Sequence, residues 1–477
     1  GTLVDIADDV FTDTDYYKKT ATRDNGLIVL GKVLLRYQNT SSILDLTALD
    51  ATKSITTISK QAFMGSQFTK ITLPATLTYI ADEAFLSNTK LEELVIPVGV
   101  NKIGASAFKY CTELNKITFA DNSAMVEIGK EAFSGCLKLK SIKVPYTVTV
   151  VGDSAFANCL SLETVTFDKI VETENEAGII EKNITNKSEL ISLGAGAFQD
   201  CSSLTSIAIP NKLAEIKEST FKNCTSLVNV LFETDKSRVK YIRKEAFFGC
   251  IALGSIIDVK NPNLITLVLP NTLIVVEDRV FAGCEGLYGV RFNYSIDTIG
   301  TDVFLGCIKL AKIEVYADTP PQMPSGALKR ETGTKQPYYN LRVYVKNVTK
   351  VLNDYNIAWA EYEKNIFPMG EYAKLSYRYS ADGTTIDPIP ESINKLSDVY
   401  VNHSFLFTSI KVEVTTWKFF SITDPRAESP TDPIIGGSRI DKQLGAEAYA
   451  YQRQYNTLTS SYDIILIVDY DMVLQNV

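Results

Sequence analysis

A pattern centred on phenylalanine recurs ten times along the chain and restricts how the chain can fold. An aliphatic residue lies five positions before each phenylalanine, alanine usually lies directly before it, and cysteine and leucine usually follow three and six positions later. The ten copies are Phe63, Phe85, Phe108, Phe133, Phe156, Phe198, Phe221, Phe247, Phe281 and Phe304. Most successive copies lie 22 to 26 residues apart. This period predicts a solenoid, in which each coil buries its apolar face only against neighbouring coils.

The second half of each unit predicts a short strand. In the copy around Phe133, Ile142 and Val144 alternate with polar residues, and Pro145 follows. A period of two places one face of the segment inward. Proline has no N–H to donate and ends the strand. We therefore expect parallel strands stacked at roughly 4.8 Å, with the phenylalanines in a column inside the coils.

All eight cysteines lie at the same position of the repeat. They are Cys111, Cys136, Cys159, Cys201, Cys224, Cys250, Cys284 and Cys307. One thiol per coil, always pointing the same way, gives neighbouring side chains an in-register arrangement that does not readily provide the disulfide dihedral near 90°. We expect eight buried, reduced thiols that act as small apolar groups.

The unit Ile-Gly-x-x-Ala-Phe-x-x-Cys-x-x-Leu-x-x-Ile-x-hydrophobic-Pro resembles the BspA-like leucine-rich repeat of bacterial surface proteins. The resemblance implies a right-handed leucine-rich-repeat solenoid of short parallel strands, turns and short helical or 3-10 segments. It also implies a secreted or surface-displayed protein that binds host proteins or other macromolecules, with no catalytic residue. Ser66 and Asn88 replace cysteine in the first two copies, and the step from Phe156 to Phe198 is nearly two repeats long.

The domain organisation follows from where the repeat begins and ends. Residues 1–25 are not assigned to a domain. The solenoid covers residues 26–369, including an N-terminal cap at 26–57 and a C-terminal strand-helix cap at 319–369. Residues 370–477 contain period-two runs and turn signals without a clear helix, which predicts a small all-β domain, with a sandwich as the favoured form.

The C-terminal cap is predicted from its own pattern and from the resemblance. Residues 341–345 read as a strand, and apolar residues from Val348 to Tyr362 follow at helical spacing. Similar endings with a tryptophan, here Trp359, close solenoids of this family. The aromatic stripe has an alternative interpretation as a binding surface, but covering the core of the last coil is favoured.

Composition and charge disfavour several classes of partner. The net charge of −8 and the pI near 5.1 disfavour nucleic acid or an anionic membrane as the main partner. No run approaches 18 consecutive apolar residues, so no membrane insertion is expected. Residues 1–9 lack the basic segment and apolar core of a signal peptide. A mature or trimmed form would lack them as well, so no location follows from this.

An acidic insert at residues 168–190 separates two repeats and includes Glu172, Glu174, Glu176 and Glu181. Carboxylates bind hard cations, so a calcium-binding or partner-contacting loop is one interpretation. A solvated hairpin or loop at the edge of the solenoid is favoured, because the spacing of a calcium loop is missing.

The sequence offers few groups for catalysis, metal or cofactor binding. His403 is the only histidine, which removes most histidine-dependent triads and zinc sites. The Gly194-Ala195-Gly196 stretch is the repeat motif in phase, not a dinucleotide loop, and the cysteines form no C-x-x-C pair. We expect no catalytic residue, metal or cofactor, although a pair of acidic glycosidase residues in the C-terminal domain stays an alternative.

The outward positions of the predicted strands are the candidate binding residues. They are Lys116, Thr118, Ser141, Lys143, Thr164, Thr166, Arg291 and Lys312. The whole outward stripe is mixed in charge, mostly small and polar, and without aromatic residues. A solvated face without a partner is weighed evenly with a binding face, because interface hot spots favour Trp, Tyr or Arg.

Three functions from different classes remain. The favoured one is a non-catalytic secreted or cell-surface adhesion protein that binds a host or matrix protein or glycan. The alternative is a structural spacer that displays the C-terminal domain. The least favoured is a glycan-active enzyme with its site in that domain.

Overall fold

The computed structural model of the chain describes residues 26–47, 54–174, 180–233, 236–254, 266–328, 341–346, 348–369, 449–456 and 461–468. Within these ranges, the repeats form a parallel β-solenoid. Each coil contributes a short strand to one column and a longer strand to another. The repeat pattern predicts the longer strand; the column of two-residue strands was not predicted.

The N-terminal end of the solenoid is built differently from the repeats. Strands β1 (Leu27–Leu30) and β2 (Val33–Tyr37) form an antiparallel hairpin, and β2 pairs in parallel with the first short strand of the repeats. The ring of Tyr37 lies 5.7 Å from that of Phe63. The hairpin therefore covers the first ring of the phenylalanine column.

Short and long strands alternate along the N-terminal coils. The strands are β3 (Ile43–Asp45), β4 (Thr57–Ile58), β5 (Lys70–Thr72), β6 (Tyr79–Ile80), β7 (Glu93–Ile96), β8 (Lys102–Ile103), β9 (Lys116–Phe119), β10 (Glu127–Ile128), β11 (Ser141–Lys143), β12 (Val150–Val151) and β13 (Thr164–Thr166). The short strands β4, β6, β8, β10 and β12 pair in one parallel sheet. The long strands β3, β5, β7 and β9 form a second sheet, and β11 with β13 continue beside it.

The acidic insert contains an antiparallel hairpin of β14 (Lys169–Glu174) and β15 (Ile180–Asn186). The insert is therefore a hairpin, as the favoured interpretation stated.

The coils continue after the hairpin with the same alternation. The strands are β16 (Ser192–Leu193), β17 (Ser206–Ala208), β18 (Glu215–Ile216), β19 (Asn229–Leu231), β20 (Tyr241–Ile242), β21 (Thr266–Val268), β22 (Val275–Val276), β23 (Gly289–Phe292), β24 (Thr298–Ile299) and β25 (Lys312–Val315). Strand β16 completes the first short-strand sheet, and β18, β20, β22 and β24 form another. The long strands divide into a β11-β13-β17-β19 sheet and a sheet that begins β21-β23-β25.

The ten repeat phenylalanines form the predicted column. All ten side chains are buried, and each ring stacks on the next with centroids 4.7 to 5.9 Å apart. The stack also continues across the long step, because Phe156 and Phe198 lie 5.4 Å apart. The insert therefore adds residues to one coil without interrupting the core.

The eight cysteines are buried and free, as predicted, but they are more than small apolar groups. Each thiol donates a hydrogen bond to the carbonyl of the phenylalanine one coil earlier, at 3.0 to 3.3 Å. Burial raises the pKa of the Cys111, Cys159 and Cys250 thiols to about 12. These thiols are therefore unreactive in the folded protein, since the thiolate is the nucleophile.

The turn around each phenylalanine forms a third ladder between coils. The residues two before and two after each phenylalanine have positive φ, as in Ser106 and Tyr110 around Phe108. This conformation directs every second N–H toward the next coil, where Phe108 donates to the carbonyl of Ala132 at 2.7 Å. Of the ten residues two positions before a phenylalanine, only Gly196 is glycine. The ladder therefore stabilises a left-handed backbone that the other nine residues adopt at a cost.

A strand, two helical segments and a final strand end the solenoid. They are β26 (Arg342–Val345), α1 (Thr349–Ala358), a 3-10 helix (Ala360–Asn365) and β27 (Ile366–Pro368). The two strands extend the long-strand sheet to β21-β23-β25-β26-β27. The buried Tyr355 hydroxyl donates to the carbonyl of Ala317 at 3.0 Å, and Trp359 Nε1 donates to that of Pro321 at 3.0 Å. The aromatic stripe therefore serves as a cap, not as a surface.

Most of the predicted C-terminal all-β domain at 370–477 lies outside the described residues. The described part is an antiparallel pair of β28 (Tyr449–Asn456) and β29 (Ser461–Val468). The predicted boundaries of the domains stay predictions. In the described ranges, no helix is both long enough and apolar enough to cross a bilayer.

Candidate functional site

The outward residues of the long strands, from β3 to β27, form one surface, which we call the long-strand face. Its exposure follows from the period-two pattern, because the inward residue of each strand packs against the phenylalanine column. In β9, Lys116 and Thr118 are exposed on either side of the buried Ile117. The template positions therefore point outward, as the sequence predicts.

Six of the eight predicted binding residues lie together on this face. They are Lys116, Thr118, Ser141, Lys143, Thr164 and Thr166, on the neighbouring strands β9, β11 and β13. Five of them are exposed, and Thr166 is half-buried. This part of the face carries hydroxyls and ammonium groups without a ring.

The other two predicted residues, Arg291 and Lys312, lie on β23 and β25 in a different sheet. Both are half-buried because they surround Glu314, whose side chain is only 1% exposed. Arg291 Nε donates to Glu314 Oε2 at 2.5 Å. Lys312 Nζ lies 3.2 Å from Oε1, an ion-pair contact without hydrogen-bond geometry.

Two tyrosines extend this cluster. The Arg291 guanidinium lies over the ring of Tyr316, 5.5 Å from its centroid, and Tyr294 meets Tyr316 edge to face at 5.8 Å. Tyr294 is 60% exposed and carries Lys346 Nζ 5.0 Å from its ring centre. Cations at these distances from an aromatic ring are attracted by its quadrupole.

We call Arg291, Tyr294, Lys312, Glu314, Tyr316 and Lys346 the C-terminal patch. Burial lowers the pKa of Arg291, but the charge and the hydrogen bond of Glu314 together raise it by more. The pKa is therefore higher than usual, and the guanidinium stays charged. Burial also raises the pKa of Tyr316, which keeps its hydroxyl neutral. The patch is thus a fixed set of cations and neutral rings around one carboxylate.

The tyrosines of the patch were missed in the sequence, because Tyr294 and Tyr316 lie just beyond the template positions, which themselves hold no aromatic residue. The template ends at the tenth repeat, whereas the sheet continues through β26 and β27. Tyr316 follows the outward residues Lys312 and Glu314 at the same period of two, which is the signal that identifies it. On the added strands, Tyr344 is the sheet neighbour of Glu314, and its ring lies 5.9 Å from that of Phe367.

Other ion pairs lie on a different side of the coil and connect neighbouring coils. Along the turns around the phenylalanines, which we call the turn edge, Lys222 Nζ lies 2.6 Å and Arg279 Nη1 3.0 Å from the Glu245 carboxylate. Both cations also lie over the ring of Phe248. The hydrogen bond from Lys222 lowers the pKa of Glu245. Such contacts join three successive coils.

The described residues offer no metal site, since they contain no group of three or more His, Cys, Asp or Glu side chains able to hold an ion. The arrangement on the long-strand face is suited to non-covalent contacts through charge, hydroxyls and rings.

Comparison with protein families identifies the repeat. The model of the BspA type leucine rich repeat region matches residues 56–177, 178–262 and 259–332, in six copies. These segments cover more than half of the chain. The chain belongs to the BspA-type leucine-rich repeat family. The eight regularly spaced thiols and the stacked rings are therefore the BspA-type unit as this chain builds it.

Three solved structures illustrate what this BspA-type chain is similar to. The pneumococcal vaccine antigen PcpA is 18% identical, with a TM-score of 0.39, over 72% of this chain and 94% of that one. A leucine-rich repeat protein from Bacteroides ovatus is 23% identical, with a TM-score of 0.28, over 63% and 96%. A leucine rich cell surface protein from Faecalibacterium prausnitzii is 21% identical, with a TM-score of 0.27, over 61% and 92%. No curated protein sequence matches the chain.

Proposed function

We propose that this chain is a non-catalytic, secreted or cell-surface protein that binds a macromolecule through its long-strand face. Membership of the BspA-type family supports a binding or adhesion role for the leucine-rich-repeat scaffold. The partner class is a protein or glycan of a host or its matrix.

One observation carries the proposal. The inward position of the long strands is aliphatic in every coil, whereas the outward positions differ from coil to coil. Some outward positions hold large apolar side chains, such as Val95 and Leu231, each 58% exposed. The fold therefore requires the inward position and leaves the outward positions free to vary, so the outward side chains are the ones that can be adapted to a partner.

The test is a binding screen of the full chain against extracellular-matrix proteins and glycans. Lys116→Glu combined with Lys143→Glu reverses charge on the long-strand face. A matched control, Lys60→Glu with Lys130→Glu, makes the same charge change at exposed positions away from that face. Variants of the C-terminal patch, described below, probe the rest of the face.

We expect at least one partner whose binding falls at least tenfold in a face variant and stays within twofold of the parent in the control. The proposal fails if no partner binds, or if binding is the same in every face variant. Mass spectrometry of the glycans after incubation provides a second test, since cleavage products would contradict a non-catalytic role.

A further inference from the structure

The C-terminal patch differs chemically from the rest of the long-strand face. The outward positions of β9 and β11 hold threonine, serine and lysine in water, whereas the patch combines rings, cations and a buried carboxylate. The inference that follows rests on the proposed binding function and concerns which partner this part of the face fits.

The solenoid does not require a carboxylate at Glu314. The equivalent outward position holds Thr118, Lys143, Ala208 or Leu231 in other coils, all in the same fold. Burying a carboxylate is unfavourable unless it is paired and hydrogen-bonded. Its effect here is to hold two cations, those of Arg291 and Lys312, in fixed positions on the outer surface of the sheet.

The orientation of Arg291 leaves donors available for a ligand. Glu314 is bonded to Nε, and the guanidinium carbon lies over the ring of Tyr316, 5.5 Å from its centroid. Among the described residues, no acceptor is bonded to either terminal nitrogen of Arg291. Those two nitrogens form the fork that binds a carboxylate with two parallel hydrogen bonds. Lys312, with its side chain 12% exposed, adds a second positive charge nearby.

The rings favour a protein partner over a glycan. Tyr294 and Tyr316 meet at 69°, so the two rings do not form one continuous flat surface, and Lys346 Nζ already lies over the ring of Tyr294. Tyrosine and arginine are instead the residue types that dominate binding energy at protein interfaces. An exposed tyrosine held edge to face against a second ring is a rigid anchor for an apolar side chain of a peptide.

Charge selects the chemistry of that peptide. The patch has three cations and one carboxylate, and cations still exceed carboxylates when Asp318, bound to Lys346 at 2.6 Å, is counted. The whole chain carries −8, so an acidic partner is repelled overall and attracted here. Repulsion elsewhere would orient such a partner toward the patch.

We propose that the C-terminal patch binds an acidic segment of a partner protein, with a carboxylate on the Arg291 fork and an apolar or aromatic side chain against Tyr294.

The probe is the random copolymer of glutamate and tyrosine, measured by biolayer interferometry on the full chain. The lysine-tyrosine copolymer tests the sign of the charge, and chondroitin sulfate tests an anionic glycan. The first variant combines Tyr294→Ala with Lys346→Glu, which changes a tyrosine and the lysine over its ring. The second is Arg291→Lys, which keeps a positive charge beside Glu314 but removes the two terminal nitrogens of the guanidinium.

The turn edge provides a matched control. Tyr110 is 49% exposed, Lys109 Nζ lies 5.2 Å from its ring centre, and Lys109 is paired with Glu131 as Lys346 is paired with Asp318. Tyr110→Ala with Lys109→Glu therefore makes the same chemical change outside the patch. Thermal unfolding of each variant confirms that it is folded.

We expect the glutamate-tyrosine copolymer to bind the parent at least tenfold more tightly than either patch variant, and the control to stay within twofold of the parent. Equal losses in the patch variants and the control would show unspecific charge effects and overturn the inference. Tighter, patch-dependent binding of chondroitin sulfate would overturn it in favour of a glycan. A screened partner lost only in the Lys116 and Lys143 variant would overturn this inference while supporting the proposed function, whereas the absence of any partner would defeat both.

Discussion

The same buried hydrogen bond recurs from coil to coil, although the residue that donates it is not always the same. In eight coils a thiol donates to the preceding phenylalanine carbonyl, as Cys111 does to Phe85 at 3.3 Å. In the second repeat, Asn88 Nδ2 donates to the carbonyl of Phe63 at 2.6 Å instead. A position that accepts either a thiol or an amide is selected for a buried donor, because an unpaired carbonyl in the core is costly.

Asn88→Cys is expected to stabilise the protein by about 1 kcal/mol. The thiol can donate to the same carbonyl, and the buried Asn88 Oδ1, which has no hydrogen-bond partner among the described residues, is removed. The second hydrogen bond of the amide, to the Phe85 carbonyl at 2.9 Å, is lost, but that carbonyl still accepts from Cys111 Sγ and from the backbone N of residue 88. Asn88→Ala is the comparison, and we expect it to lower stability because it removes the donor. Urea denaturation measures both. A cysteine variant less stable than the parent by more than about 1 kcal/mol would show that the amide is needed.

In several repeats, glycine occupies the position four residues before the phenylalanine because a larger residue would clash with the preceding coil, not because the backbone there has positive φ. A Cβ on Gly152 would lie 2.5 Å from the backbone nitrogen of Lys130 in the preceding coil. Gly152→Ala is therefore expected to lower the free energy of unfolding by about 1–3 kcal/mol.

The repeat provides a control for this substitution at the same position of another coil. Lys217 already has a Cβ there, so Lys217→Ala should change stability by less than about 0.5 kcal/mol. Thermal and urea unfolding compare the two variants. Equal stability of Gly152→Ala and the parent would show that the coils can separate without loss.

At this scale the sequence predicts which residues point inward but not how they are bonded. The spacing places Phe133 and Cys136 inside, because a repeat must return each residue to the same point of the coil. It does not predict that the thiol meets a carbonyl, since that contact depends on the height of one coil over the next. Positive φ at residues such as Ser106 was likewise not predicted, because serine gives no local signal for a left-handed backbone.

At the scale of elements, the C-terminal cap determines where the solenoid ends. The helix α1 and the 3-10 helix place Tyr355 and Trp359 on the last coils, and both indole and phenol donate to backbone carbonyls. An unprotected last coil would expose the core, which repeat proteins avoid with a terminal cap.

Trp359→Ala should therefore cost about 3–5 kcal/mol, the range for removing a buried aromatic side chain. We expect the coil around Phe304 to lose protection from hydrogen exchange before the coil around Phe133. Ile357→Ala on the same helix is the control, because Ile357 is 78% exposed. Uniform loss of protection over all coils would contradict a local role for the cap.

The cap also explains why the C-terminal patch could be predicted only in part. The template identified Arg291 and Lys312 as outward residues. The template did not predict that β26 pairs with β25. That pairing extends the sheet beyond the last repeat and places Lys346 near Tyr294. Burial of Glu314 could not be predicted either, since the same position is exposed at Thr118 and Lys143.

For the whole molecule, the phenylalanine column is a single structure that tolerates additions at its edge. The ends of the acidic insert are held together by Asp168, which accepts from Ser188 N at 2.8 Å and lies 3.3 Å from Lys187 Nζ. Lys187 also binds Glu233, and hydrogen bonds from Lys187 and Asn211 lower the pKa of Glu233 to about 2. We call these contacts of Asp168, Lys187, Ser188 and Glu233 the clamp. All four residues lie outside the two hairpin strands.

Replacing residues 169–186 with a short glycine-serine linker should leave the solenoid intact. The chain leaves and re-enters the coil at adjacent points, since Lys169 is the sheet partner of Asn186, and a two-stranded hairpin adds little stability of its own. We expect the midpoint of thermal unfolding to shift by less than about 4 °C, roughly the effect of 1 kcal/mol in a domain of this size or smaller. The control is the same deletion with Asp168→Ala, which removes the clamp and should lower the midpoint further. Collapse of the shortened chain, seen as loss of its β-sheet circular dichroism, would mean that the hairpin belongs to the core of the coil.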